Sequence, residues 1–145
     1  MKPKTIKTLY WIFTVLFLLA MLGDAYGGIT MQQAGKDSLA KLGYPFYLMV
    51  IMGWAKIAGV LAIAQTRYQV IKEWAYSGFT ISFIGAFLSW LAIGAGAAML
   101  IPPVVMLLVM FFTYYLWKRY EQIKELGLTN TRLAGNTRTG LMLLV

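Results

Sequence analysis

Residues 44–64 read YPFYLMVIMGWAKIAGVLAIA, and Lys56 is the single charged residue among them. About 20 predominantly apolar residues suffice for a helix to cross the hydrocarbon core of a bilayer. This stretch therefore reads as a membrane span, and three more runs match it: roughly Leu9–Tyr26, Trp74–Ile93 and Met99–Trp117. In lipid each backbone polar group must be satisfied within its own segment, so the spans are expected to be helices. The expected fold is all-α, an integral membrane four-helix bundle over residues 1–126, with a mobile cytoplasmic tail from 127 to 145. Pro102 and Pro103 fall in the first turn of the fourth span, where a missing N–H is tolerated.

Composition agrees. Of 145 residues 60% are hydrophobic and 12% charged, whereas soluble domains are about half apolar and about a quarter charged. The absence of cysteine and histidine removes disulfides, thiol catalysis, the Ser-His-Asp triad and imidazole ligation of a metal. Among nine methionines, Met49 with Met52 and Met106 with Met110 share helix faces. Packing is their expected role, and no metal site is assigned.

The net charge of +8 is a topology signal rather than a nucleic-acid footprint. Lys2, Lys4 and Lys7 precede the first span, Arg67 and Lys72 join the second to the third, and Lys118, Arg119, Lys124, Arg132 and Arg138 follow the fourth. Only Lys36 and Lys41 lie on the other side. Excess Lys and Arg mark the cytoplasmic side, so both termini are expected there, with the chain in the cell membrane. The basic start followed by LYWIFTVLFLLAML also has the outline of a signal peptide, but it is long and three spans follow, so it is taken as the first span. Tyr10, Trp11, Trp74, Tyr76, Tyr115 and Trp117 are placed at the inner interface, and Tyr26, Tyr44 and Tyr47 at the outer one. The loop from Gly27 to Gly43 is long enough for a short helix, with Ile29, Met31, Leu39 and Leu42 as an apolar face on the outer interface; an ordinary loop is the alternative.

The ionisable groups within the spans are Asp24, Lys56 and Glu73. Intramembrane charges usually face the protein interior and pair with one another. Lys56 lies about 11 residues, or roughly 16 Å, below the outer start of its helix, close to the midplane. Asp24 is nearer the outer face and Glu73 nearer the inner one. Glu73 is the favoured partner, because a short loop makes its helix a neighbour. Gly53 and Gly59 share the Lys56 face, while Gly78, Ser82 and Gly85 recur along the third span; small residues of this kind let helices approach closely. Two readings stand side by side. Lys56 and Glu73 fix helix register, or Lys56 floors a polar pocket completed by Asp24, Glu73, Trp54, Trp74, Tyr76, Ser89 and Trp90. Such a pocket suits a flat, amphipathic ligand.

LGYP at 42–45 with Tyr47, GWAK at 53–56 with IAG at 57–59, EWAYSGF at 73–79 and GAFLSW at 85–90 resemble the DoxX-like family of small four-helix membrane proteins, over about residues 8–117. The resemblance carries Gly43, Tyr44, Pro45, Lys56, Glu73, Trp74, Tyr76, Gly78, Gly85 and Ser89 onto family positions. It departs at Trp90, where family members often carry histidine. It implies a bundle with both ends cytoplasmic. The family takes its name from a subunit of a thiosulfate–quinone oxidoreductase; some relatives are linked to resistance against quinones and oxidants, and distant animal relatives act as assembly chaperones.

Three functions follow as expectations. The first is a quinone-binding or accessory subunit of a membrane redox or stress-response system, with Lys56 donating to a carbonyl or phenolate oxygen. The second is an assembly factor acting through helix packing on a membrane protein partner or a second copy, without ligand. The third is a small transporter, for which Asp24 lies too near the outer end. An autonomous enzyme is not expected, since only Lys, Tyr and carboxylates remain for acid–base work.

Overall fold

The computed structural model describes residues 2–142, with side chains to residue 136. Among the described residues the chain forms helices and no strands: α1 (Pro3–Ile29), α2 (Gln33–Leu42), α3 (Tyr47–Ala64), α4 (Gln69–Ala92) and α5 (Ala97–Met142). Of these, α1, α3, α4 and α5 are long and apolar enough to cross a membrane. The helix α1 packs on α3 and α5, and α4 packs on α3 and α5, so the spans follow one another around a ring in the order α1–α3–α4–α5. Many of their large apolar side chains, such as Leu19, Leu61, Ile81 and Leu108, point outward. That is the surface a bilayer requires, and the chain is a multi-pass membrane protein.

The start of α1, the α3–α4 loop and the part of α5 after Trp117 gather at one end, which carries most of the lysines and arginines and is called here the basic end. Gln65 organises its loop by accepting from the backbone N–H of Arg67 (2.8 Å) and Tyr68 (2.7 Å). The opposite end holds α2 and the α4–α5 turn. The segment that sequence left open between helix and loop is helical. Gly43 closes it at φ 73°, and the N–H groups of Gly43 and Tyr44 reach back to the carbonyls of Ala40 (3.2 Å) and Leu39 (2.9 Å). This left-handed stop needs glycine.

Packing is concentrated toward the basic end. Trp117, Phe17, Ile63, Met110 and Leu116 are almost fully buried. Tyr76 stacks on Trp117 (5.8 Å, 19°) and Phe17 meets Phe79 edge-on at 5.5 Å. Three rings expected at the membrane interface are therefore core residues: Tyr10, Tyr76 and Trp117 are all buried. Their heptad-like positions on α1, α4 and α5 face one another, and burying a ring of that size outweighs its interfacial preference. Trp11, Trp74 and Tyr115 do stay exposed.

Two further expectations change. The prolines Pro102 and Pro103 lie inside α5 rather than in its first turn, because the helix begins two residues earlier than Met99. The backbone after Leu126, expected as a tail, continues α5 to Met142 with exposed side chains from Leu126 to residue 136. Gly127 and Gly135 lower helix propensity but do not break it. The last residues of LMLLV, 143–145, lie outside the described residues.

Candidate functional site

The site begins with two glycines. Gly28 on α1 and Gly53 on α3 oppose each other so closely that a Cβ on Gly28 would sit 2.9 Å from the Met49 carbonyl oxygen. One on Gly53 would sit 3.0 Å from the Ala25 carbonyl oxygen and 2.7 Å from Ile29 Cγ1. Here the two backbones touch. The helices run antiparallel, so one turn toward the basic end from this crossing brings Asp24, four residues before Gly28, beside Lys56, three residues after Gly53. The Lys56 ammonium donates to Asp24 Oδ2 in an ion pair.

This corrects the pairing expected from sequence. Lys56 does not meet Glu73; Glu73 instead accepts from Lys118 of α5, a second ion pair. The helices α3 and α4 are indeed neighbours. However, Glu73 sits near the start of α4 at the basic end, and the lysine stem of residue 56 turns the other way. What sets the partner is the α1–α3 crossing, not the short loop.

Beyond the pair the helices part. An open cavity of about 750 Å³ runs from the ion pair toward the opposite end, bordered by α1, α3, α4, the beginning of α5 and the underside of α2. Lys56, Asp24, Ser89 and Trp90 line it, as do Gly53, Ser82 and Gly85. On the far wall the Ser89 hydroxyl donates to the Gly85 carbonyl (2.8 Å). Its one proton thus engaged, Ser89 accepts from the Tyr44 hydroxyl at 3.0 Å. Hydrogen-bonded polar groups therefore stand at two separated points of a mainly apolar cavity, with Gln32, Ser38 and Ser82 also on its wall. Among the described residues Lys56 spends one of its three N–H donors on Asp24, leaving two for a guest.

The remaining expected pocket residues are elsewhere. Trp54 and Trp74 point outward, 60% and 77% exposed. Tyr76 is 3% exposed in the aromatic core, and Glu73 belongs to the basic end. Gly59 receives the ring of Phe79, whose Cε2 would lie 2.7 Å from an added Cβ, while the same position on Gly78 is open.

Several residues line the cavity that were not expected in the pocket. Tyr44, expected at the outer interface, enters through its hydroxyl. Gln32, Ser38, Leu39 and Leu42 enter because α2 folds across the chamber. Leu39 and Leu42 were expected on the outer interface, and they turn inward to the cavity. Pro102 and Pro103 close it from α5. The available signal was the small, amphipathic character of α2; its direction is set only by the turn at Gly43.

Comparison with protein-family models matches residues 12–112 to the DoxX-like family, more than half of the chain. Neither a curated protein nor a solved structure matches it.

Proposed function

This chain belongs to the DoxX-like family, and from that premise we propose that it binds a small amphipathic molecule of the quinone class. In this reading it serves as a binding or accessory subunit of a redox or stress-response system in the cell membrane, with both termini cytoplasmic. The observation that carries it is the Lys56 ammonium set in the wall of the 750 Å³ cavity. Small-molecule sites measure about 300–1,000 Å³ and combine apolar walls with a few convergent polar groups. A planar ring would lie between Trp90 and the methionines Met49 and Met52. Lys56 would donate to one ring oxygen, and the Tyr44–Ser89 pair lies within the same chamber for another. The role is binding rather than autonomous catalysis.

Tryptophan fluorescence tests it directly, because quinones quench indole emission at contact. Titration of a short-chain benzoquinone or naphthoquinone into the protein in lipid nanodiscs should give saturable quenching. Trp90→Phe should remove most of the saturable component, whereas the outward-facing Trp74→Phe should leave its midpoint unchanged. Lys56→Met should weaken binding about tenfold or more, the scale of a hydrogen bond to a charged group. Purely linear, collisional quenching by every quinone, in folded protein, would sink the reading.

One observation favours the second role, assembly through helix packing on a membrane partner or another copy. The α4 surface at Gly78 is open, with no atom within 4 Å of a Cβ placed there. Gly78→Leu should leave the fold and the quinone titration intact, and loss of a copurifying membrane protein in that variant alone would favour packing. Gly59→Leu cannot serve, because it collides with Phe79 inside the chain. Gly85→Leu would fill the cavity and should block the ligand.

A further inference from the structure

The basic end contains a buried cation that the proposed ligand site does not use. Lys72, in the first turn of α4, is only 4% exposed. Its ammonium donates to the Tyr10 hydroxyl (2.6 Å) and lies 5.3 Å and 5.2 Å from the ring centres of Tyr10 and Trp117. Among the described residues it forms no ion pair; the bundle's two ion pairs go to Lys56 and Lys118. Desolvating a charge with aromatic faces and one neutral hydroxyl is costly unless an anion completes the shell. Glu121 is the carboxylate on the same wall, and its Oε2 accepts from the Gln69 amide at 2.8 Å.

The ammonium stands at the wall of a cleft of about 230 Å³, separate from the larger cavity and bounded by α1, the α3–α4 loop, the start of α4 and α5. Lys124 and the amides of Gln65 and Gln69 line it too. Trp11 and Tyr68, both exposed at its rim, are the residues that sit at headgroup level in a bilayer. Basic pockets between membrane helices at this depth are places where anionic headgroups dock.

We propose that this cleft binds the phosphate group of an anionic membrane lipid, with Lys72 and Lys124 as its cationic contacts and the Gln65 and Gln69 amides as further donors. Glu121 tempers the field, so that the phosphate is taken up by two cations against one carboxylate. The headgroup then ties α1, the α3–α4 loop and α5 together from outside.

Native mass spectrometry of the detergent-purified protein, with phosphatidylglycerol and phosphatidylcholine added in competition, tests the site. Phosphatidylglycerol should be retained in preference by about five- to thirtyfold, the scale of one or two lysine contacts. Lys124→Glu, an exposed position that leaves the core untouched, should abolish that preference, and Lys72→Met should do the same where it folds. Arg132→Glu, at the same end but outside the cleft, should leave it intact. Millimolar inorganic phosphate separates the sources of the same chemistry. Displacement of lipid shows that the phosphate alone is recognised, and retention shows that the acyl chains contribute. Equal retention of the two lipids would overturn the site. So would a preference that Arg132→Glu lowers as much as Lys124→Glu, because general attraction to the basic end would then suffice.

Discussion

Gly53→Val is expected to destabilise the bundle by about 3 kcal/mol, the upper part of the usual range for overpacking. The added Cβ alone would stand 3.0 Å from a backbone oxygen of α1, and backbone cannot swing aside as a side-chain tip can. Gly28→Val should behave alike, because its Cβ meets the Met49 carbonyl at 2.9 Å. Even the alanine variants should lose stability, although alanine is the better helix former by about 1 kcal/mol. Gly23 supplies the control: it lies on the same helix with open space around it, and Gly23→Ala should be neutral or stabilising. Reversible unfolding in mixed micelles, followed by circular dichroism, measures all of them. A raised midpoint for Gly53→Ala would mean that α1 and α3 are not in backbone contact.

Asp24→Asn should have the second largest effect, and its sign depends on what else is changed. Removing one partner of a buried ion pair costs about 3–5 kcal/mol. The Asp24 carboxylate is 56% exposed toward the cavity, which brings the expected loss down to about 1–3 kcal/mol. The double variant Asp24→Asn with Lys56→Met should recover much of that loss, because no unpartnered charge remains. Glu73→Gln should cost below about 1 kcal/mol, since it and Lys118 are both more than two-fifths exposed. It should also add independently to Lys56→Met. Coupling of Lys56 to Glu73 instead of Asp24 in such a cycle would restore the pairing that helix order implied and overturn the site geometry.

The contrast between those two carboxylates shows what was legible in the chain. Hydropathy alone gave the number of spans, since each apolar run is long enough to cross. Lys56 was equally conspicuous, being the one charge in its run. Its partner was not legible, because sequence neighbours share a loop but not a depth or a rotation. Those depend on where two helices cross, and here Gly28 and Gly53 decide it. Gly53 was marked as a small position; Gly28 could not be, because its significance exists only opposite Gly53. The tryptophans failed for a related reason. A period of 3.6 residues says that Trp54 and Lys56 lie about 200° apart, so Trp54 faces away from any site that Lys56 lines. Trp90 and Ser89 border the chamber because α4 is wetted by it along a broad face. The segment that roofs the cavity was the least legible part, since a ten-residue helix gains its orientation from the turns at its ends.

The bundle is filled with aromatic rings at one end and opens into a cavity at the other. The stacked Tyr76 and Trp117 close the filled end, and the touching backbones at Gly28 and Gly53 hold α1 to α3 toward the other. Two polar contacts also cross that end, Lys56 to Asp24 between α3 and α1 and Tyr44, just before α3, to Ser89 of α4. On the proposed reading, a lipid-soluble guest entering between α1 and α3 would have to separate the touching Gly28 and Gly53 backbones, so the side spanned by the Tyr44–Ser89 hydrogen bond is the expected way in.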